Sequence, residues 1–154
     1  MINGISKILG KNAKVNLMKI VVGTWQDLAP AAKGIREQVF IQEQNIAEID
    51  EWDDLDAIAV HFILYQQQQV LATARLLGND SIGRVAVLKA ARGQGLGEAL
   101  MRFVIDYAQQ QGRPSVHLSA QVHAVAFYQR LGFEVKGEPY IDCNIPHIQM
   151  QLVF

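Results

Sequence analysis

Between two regular segments, the chain reads Arg92-Gly93-Gln94-Gly95-Leu96-Gly97. Residues 82–88, which precede this glycine run, are strand-like and mostly apolar. After it, apolar residues recur at the 3.6-residue period of a helix until Gly112. A glycine-rich turn at a helix start leaves backbone N–H groups free to approach phosphate oxygens, and the helix dipole adds partial positive charge. The glycine run, residues 92–97, therefore predicts an anion-binding turn.

The spacing of the glycines does not by itself name the ligand. Gly93, Gly95 and Gly97 follow one another at intervals of two, whereas a Rossmann turn has its third glycine three residues after the second. The Lys-Ser/Thr pair of a P-loop is missing as well. A structural alternative stays open for the run alone, because glycines also let a strand and a helix pack closely.

The remaining periodicities predict one α/β (or α+β) domain. Strand patterns cover residues 20–22, 58–65, 70–77, 82–88, 116–120, 133–136 and 147–154. Helical patterns begin at residue 28 and cover residues 96–108 and 123–131. The predicted order is β-α-β-β-β-α-β-α-β-β, without an internal repeat or an interdomain linker.

Composition narrows the class of protein further. The 154 residues are 50% hydrophobic and 19% charged, and 14 basic against 15 acidic residues give a net charge of −1. Without a basic stripe, a nucleic-acid partner is disfavoured. The single cysteine, Cys143, excludes an intramolecular disulfide and offers no metal-ligand spacing. No run of about 18 apolar residues is present to span a membrane, so we expect a metal-free cytoplasmic protein with no membrane partner.

The first 17 residues differ from the rest of the chain. They show neither a strand nor a helix period, and they lack the central apolar run of a signal peptide. A second start-like signal follows at Met18, which opens a strand-like run. The sequence predicts a dispensable N-terminal extension over residues 1–17 and one domain over residues 18–154.

Acidic residues are concentrated in one segment. Eight of them lie between residues 37 and 56, namely Glu37, Glu43, Glu48, Asp50, Glu51, Asp53, Asp54 and Asp56. From Arg75 to Arg113, six basic residues stand against three acidic ones. The acidic segment favours a cationic ligand near the anion-binding turn. A solvated acidic loop is an equally simple interpretation.

Two motifs together resemble the GNAT acyl-CoA N-acetyltransferases. The first is Val85-Ala86-Val87 followed by Arg-x-x-Gly-x-Gly in the glycine run, and the second is Phe127-Tyr128-Gln129-Arg130-Leu131-Gly132-Phe133. The resemblance extends from Lys19 to Phe154, and residues 39–44, 59–61, 120–123 and 145–150 look like the ElaA-like and related branches. It implies a three-layer sandwich, with a mixed, mostly antiparallel sheet, helices on both faces and one splayed strand pair.

The resemblance also implies the acetyl-CoA site, with acetyl-CoA as co-substrate. Its diphosphate would bind the glycine run, that is Arg92, Gly93, Gln94, Gly95, Leu96 and Gly97. The backbone of Val85 and Val87 would hold the pantetheine arm in a slot that the splayed strands open. Tyr128 falls on the family's usual general acid. Gln121 departs from the family pattern, in which an Asn is common, and its longer amide is assigned the same pantetheine contact.

Acetyl transfer to an amine needs two more groups. A fixed backbone N–H can stabilise the oxyanion of the tetrahedral intermediate, and Val87 is the candidate donor. An alkylamine with a pKa of about 10.4 is neutral in roughly one molecule in two thousand at pH 7, so a base must remove its proton. Glu43 is the first candidate for this base, followed by Asp53, Asp56 and His61. A surface carboxylate is the alternative for Glu43, and a satisfied core histidine is the alternative for His61.

The remaining candidate side chains are interpreted as structural. His117 and His123 are expected to be structural or exposed, and His147 is expected to pin the turn at Pro146. Cys143 receives no role, because nothing near it in sequence suggests an activated thiolate.

The expected function is acetyl-CoA-dependent N-acetyl transfer to a primary amine, either a small cationic amine or a peptide amine. The alternative is a non-catalytic acyl-CoA-binding or interaction module, which would have no need of the Tyr128 proton donor. A homodimer is one possible assembly.

Overall fold

The computed structural model describes residues 5–6 and 17–154. Within them, the chain forms one eight-stranded sheet. Its strands are β1 (Ile5–Ser6), β2 (Met18–Gly23), β3 (Val60–Gln66), β4 (Gln69–Leu76), β5 (Ser81–Val87), β6 (Ser115–Gln121), β7 (Glu134–Asp142) and β8 (Ile145–Val153). Their order across the sheet is β1-β2-β3-β4-β5-β6-β8-β7. Of the pairings in this described region, β5 with β6 is parallel and the others are antiparallel.

Four α-helices and several tighter turns connect these strands in the described residues. The helices are α1 (Trp25–Arg36), α2 (Glu48–Glu51), α3 (Leu96–Gln110) and α4 (Val125–Arg130). Thr24 caps α1 by accepting a hydrogen bond from the Asp27 N–H, and a π-helix, Glu37–Glu43, continues that helix. From β2 onwards the predicted order of the main strands and helices is observed, although α2 and the π-helix were not anticipated and β7 is longer than residues 133–136.

Helices cover both faces of the sheet, so the three-layer expectation is confirmed. On one face, α3 packs through Leu100, Met101 and Val104, and α4 through Tyr128, into the same core as the strand residues Phe62 and Leu64. On the other face, α1 packs through Leu28 and Ala32 onto Ile63, and the α1 and π-helix residues Ile35, Val39 and Phe40 pack onto Ala86. Adjacent residues of β3 therefore point into different layers, which explains its unbroken apolar run.

The expected splay lies between β5 and β6. Their parallel register consists of Ser81 opposite His117 and Ile82 opposite Leu118. Beyond Ile82, a β-bulge places Arg84 and Val85 opposite the single residue Ala74, and Arg84 has a φ of 49°. A bulge bends its strand and increases the local twist, so β5 turns away from β6 and leaves a slot between them.

The N-terminal segment is described in part. β1 pairs with Ile20 and Val21 of β2, a contact that the sequence did not predict. Residues 1–4 and 7–16 lie outside the described residues. The dispensability of residues 1–17 stays a prediction. In the described part of the chain, no helix has the length and apolar character needed to cross a membrane.

Candidate active site

A cleft of about 1210 Å³ contains the slot between β5 and β6 and extends from the glycine run to the turn between β7 and β8. It brings together most of the residues expected from the sequence. Those that line it are Glu43, Val85, Val87, Arg92, Gly93, Gly95, Leu96, Gly97, Gln121 and Tyr128. Gln94 is exposed and lies outside this set, and so do Asp53, Asp56 and His61.

The glycines of the run serve two purposes. Gly93 and Gly95 have φ values of 76° and 78°, and a Cβ built on either would meet no other atom within 4 Å, so the backbone there faces open space. Gly95 is also the N-cap of α3 and provides no side chain to occupy the first-turn N–H groups. A Cβ on Gly97 would lie 3.4 Å from Val87 and 3.5 Å from Phe127, so Gly97 serves close packing. The run thus fits an anion as well as tight packing.

Arg92 connects the glycine run to the opposite wall of the cleft. Its two terminal nitrogens donate to the Glu43 carboxylate at 2.7 and 2.8 Å. Its Nε donates to the Val87 carbonyl at 3.0 Å. The hydrogen bonds and charge of Arg92 hold the pKa of Glu43 below its usual value. Glu43 therefore lines the cleft, but its carboxylate is already engaged by Arg92.

The backbone of Val87 points into the slot. The Leu88 N–H donates to the Leu71 carbonyl of the neighbouring strand. Because hydrogen-bonded and non-hydrogen-bonded pairs alternate in an antiparallel ladder, Val87 opposite Ala72 is a non-hydrogen-bonded pair. Its N–H and carbonyl thus face away from β4 and towards the slot. With the carbonyl engaged by Arg92, the N–H is free to meet a substrate oxygen.

Gln121 lies at the far edge of the slot, at the end of β6. Its side-chain Nε2 donates to Gln44 Oε1 at 2.9 Å, and the Gln44 amide donates back at 3.3 Å. Gln121 Oε1 also accepts from His123 Nε2 at 2.7 Å. This pair of amides connects Gln44, which follows the π-helix, to Gln121 at the end of β6. The contact thus bridges the slot between β5 and β6.

Tyr128 projects from α4 into the cleft. Its residue is 9% exposed, and its ring packs against Phe127 and Phe133, with centroids 5.0 and 5.9 Å away. The hydroxyl group makes no hydrogen bond to another described residue. Burial raises the pKa of this phenol to about 12. Tyr128 is therefore a protonated donor whose hydroxyl has no hydrogen-bond partner among residues 17–154.

Three of the eight acidic residues belong to an ion network, of which Glu51, Arg75 and Arg84 line the cleft. The network consists of Arg36, Arg75, Arg84, Glu51, Asp53 and Asp56. Arg36 binds Glu51 at 2.6 Å and Asp56 at 2.7 Å, and its guanidinium lies 5.5 and 5.0 Å from the ring centroids of Trp25 and Trp52. The arginine partners balance the charge of these carboxylates.

His61 is also part of this buried region. Its Nε2 donates to the Asp56 carbonyl at 2.8 Å, the residue is 1% exposed, and burial lowers its pKa. The structure thus shows the satisfied core histidine that was the alternative interpretation of the sequence.

At its other end, the cleft is lined by residues that the sequence did not single out together. Asp50 comes from α2, Asp142 from the end of β7, Cys143 from the β7–β8 turn and Ser119 from β6. His147 of β8 completes this end, and its Nδ1 lies 2.6 Å from the Ile145 carbonyl. Cys143 and Asn144 both have positive φ, as a two-residue hairpin turn requires. Cysteine is an unusual residue there, so the sequence signal for this hairpin was weak.

Known proteins share this arrangement. The acetyltransferase (GNAT) domain matches residues 31–154. The uncharacterized N-acetyltransferase YjcF of Bacillus subtilis is 33% identical over 137 residues, which cover 86% of this chain and 98% of that protein.

Two solved structures extend the likeness to the fold. The crystal structure of an acyl-CoA N-acyltransferase from Pseudomonas aeruginosa superposes with a TM-score of 0.78 at 35% identity, covering 88% of this chain and 99% of the other. That of Escherichia coli ElaA gives a TM-score of 0.78 at 28% identity, with the same coverages. Members of this fold family take acyl-CoA as co-substrate. The chain therefore belongs to the GNAT acyltransferases, in their ElaA-like branch.

Proposed function

We propose that this acyltransferase moves an acetyl group from acetyl-CoA to a primary amine by direct transfer. The observation that supports it best is the pair of free donors that face the cleft, namely the Val87 N–H and the Tyr128 hydroxyl. The Val87 N–H can stabilise an oxyanion, and the Tyr128 hydroxyl can protonate a leaving thiolate. A module that only held acyl-CoA would not need the Tyr128 proton donor.

The chemistry assigned to these donors follows from where charge develops. When the amine attacks the thioester carbonyl, the oxygen becomes negative, and the fixed Val87 N–H can stabilise it without reorganisation. When the C–S bond breaks, negative charge moves to sulfur, and Tyr128 donates a hydrogen bond and then its proton. The raised pKa of Tyr128 keeps that proton in place at any working pH. The glycine run, with Val85 and Gln121, holds the rest of acetyl-CoA.

The acceptor that we propose is cationic. At the acceptor end of the cleft, Asp50 and Asp142 line the surface, and within residues 17–154 neither forms an ion pair. By contrast, Glu51 and Asp53 are neutralised by arginines. Two carboxylates without an ion-pair partner at this end of the cleft favour an amine that carries a second positive charge. A cytoplasmic location and a homodimer stay expectations from the sequence.

Thiol release from acetyl-CoA tests the proposal. The panel contains a monoamine, a diamine and a polyamine, together with lysine and a peptide with a free N-terminus, and mass spectrometry identifies the acetylated product. Longer acyl-CoA donors in parallel test the preference for acetyl. Binding of acetyl-CoA without transfer to any amine would favour the non-catalytic alternative.

One variant, compared on two amines, tests whether the acceptor is recognised through a second positive charge. Asp142→Asn should raise KM for a diamine by about fivefold or more, because removing one close charge pair costs on the order of 1 kcal/mol. KM for a monoamine of similar length should change little. Equal effects on both amines would contradict electrostatic recognition of a second charge.

A further inference from the structure

The residues expected from the sequence to remove the ammonium proton are all occupied. Glu43 is bound through both oxygens by Arg92. Asp53 and Asp56 are bound by arginines of the ion network, and His61 donates to a backbone carbonyl in the core. Without a base, the scarcity of neutral amine at pH 7 adds roughly 4 to 5 kcal/mol to the barrier. Another group in the cleft must therefore accept the ammonium proton.

We infer that His147 is the general base, which rests on the amine acceptor proposed above. The ring nitrogen Nδ1 lies 2.6 Å from the Ile145 carbonyl. A carbonyl oxygen can only accept, so Nδ1 carries the hydrogen and, in the neutral ring, the lone pair is on Nε2. Among the described residues, Nε2 has no hydrogen-bond partner. His147 thus presents a free proton acceptor in the cleft.

The sheet register places this acceptor beside the slot. His147 of β8 is the register partner of Gln121, the residue at the edge of the slot. Directly paired residues on adjacent antiparallel strands lie about 5 Å apart and point to the same face. Ser119 and Gln121 line the cleft from β6, and His147 lines it from β8. The imidazole is therefore one strand away from the slot.

The ring is held in place before any substrate binds. The bond to Ile145 fixes one nitrogen, and the Tyr140 ring stacks on the imidazole with an interplanar angle of 22° and a centroid distance of 6.1 Å. Tyr140 is itself hydrogen-bonded to Ser119 and accepts from Gln149 Nε2 at 2.7 Å. A base with a fixed orientation and tautomer loses little entropy when it meets the ammonium group.

Charged and titratable groups from each neighbouring element share this end of the cleft. They are Tyr140 and Asp142 from β7, Cys143 from the β7–β8 turn, His123 from the 3-10 turn after β6, Asp50 from α2 and Arg84 from β5. Arg84 is paired with Glu51 and Asp53, whereas Asp50 and Asp142 form no ion pair within residues 17–154.

The steps balance as follows. Nε2 takes one proton from the ammonium, and the released lone pair forms the C–N bond to the thioester carbon. The carbonyl re-forms as the C–S bond breaks, and sulfur takes the Tyr128 proton. The second proton lost by the nitrogen returns to Tyr128, and the imidazolium releases its proton to solvent. One amide, one thiol and one proton result.

His147→Asn is the first test, because the asparagine amide can still donate to the Ile145 carbonyl but cannot act as a base. At pH 7, kcat/KM for an accepted amine should fall by about 10²-fold or more. The loss should shrink towards pH 10, where the amine is increasingly neutral. Added imidazole should restore part of the activity of His147→Ala at pH 7, and it should not restore Tyr128→Phe.

His117→Gln is the matched control, since His117 also bonds a backbone carbonyl, that of Asn79, through Nε2. It is not among the residues that line the cleft within the described chain, and its activity should match wild type. A His147→Asn enzyme with a rate and pH profile parallel to wild type would overturn the inference and leave the amine transfer intact. A wild-type enzyme that acetylates no amine would overturn the proposed function itself.

Discussion

Arg92 donates hydrogen bonds from both terminal nitrogens to the Glu43 carboxylate, and from Nε to the Val87 carbonyl. The Glu43 carboxylate thereby offsets the positive charge of Arg92 beside the glycine run. The Arg92 guanidinium in turn holds the end of β5, where the Val87 N–H faces the slot. Both side chains are about one-third exposed, 40% for Arg92 and 32% for Glu43, so solvent weakens the pair. Glu43 is thus suited to positioning Arg92 rather than to accepting a proton.

Glu43→Gln tests this assignment. The released charge of Arg92 should tighten acetyl-CoA binding by about two- to fivefold at low ionic strength, and high salt should remove the gain. The pH profile of turnover should stay parallel to that of wild type. Calorimetric titration and rate measurements from pH 6 to about 10 provide the readouts. A loss of rate near neutral pH that recovers at high pH would make Glu43 the base, as the sequence suggested.

Gly95→Val tests the glycine run. Valine should be strained at a φ of 78° and should block close approach of a phosphate, so acetyl-CoA binding should weaken by tenfold or more, about 1.4 kcal/mol.

Gly112→Val is the control for Gly95→Val, because Gly112 has the same φ of 78° and the same open surroundings at the other end of α3. Both variants should lose similar stability, and only the first should lose affinity. Equal affinities in the two variants would remove the diphosphate from this turn.

Tyr128→Phe keeps the ring packing and removes the donor. Turnover should fall by about 10² to 10⁴, with acetyl-CoA affinity little changed. Because burial raises the folded-state pKa, the phenol should stay protonated from pH 10 up to about 12, and the stability that this contributes should be lost as pH rises through that range. Ultraviolet difference titration of wild type against the variant measures this transition. Ionisation near pH 10 would mean that the hydroxyl is solvated.

Arg36→Met tests the ion network. The variant leaves Glu51 and Asp56 buried with fewer partners and removes a cation from between two indole rings, so the free energy of unfolding should fall by about 3 to 5 kcal/mol. Arg102→Met removes only an exposed i,i+4 pair with Glu98 and should cost about 0.5 kcal/mol or less. Urea unfolding compares the two. Similar losses would show that the network contributes little to stability.

Local patterns in the sequence predicted the main strands and helices, and they also carry the assignment of the acyl-CoA side of the cleft, which stays a prediction. The period of α3, the glycine run and the Phe127–Phe133 motif are each contiguous, so their consequences can be derived from neighbouring residues. Val87 could be assigned for the same reason, because its strand directly precedes the turn.

The acceptor half could not be derived in this way, because its contacts join residues distant in sequence. Arg75 and Arg84 neutralise carboxylates that precede them by 19 to 33 residues, so counting acids could not show which charges stay free. His147 reaches the cleft through the register of β8 on β6. Its tautomer depends on where the Ile145 carbonyl lies.

Because β5 and β6 separate after Ile82, the sheet leaves a gap that an extended molecule with its own amides can fill as a further strand would. Main-chain groups, which every residue possesses, then do most of the recognition. Under the proposed function, side-chain substitutions on that side would leave these main-chain groups in place, provided that the glycines stay. The acceptor side is built from side chains such as Asp142 and His147, so substitutions there would change which amine the protein accepts.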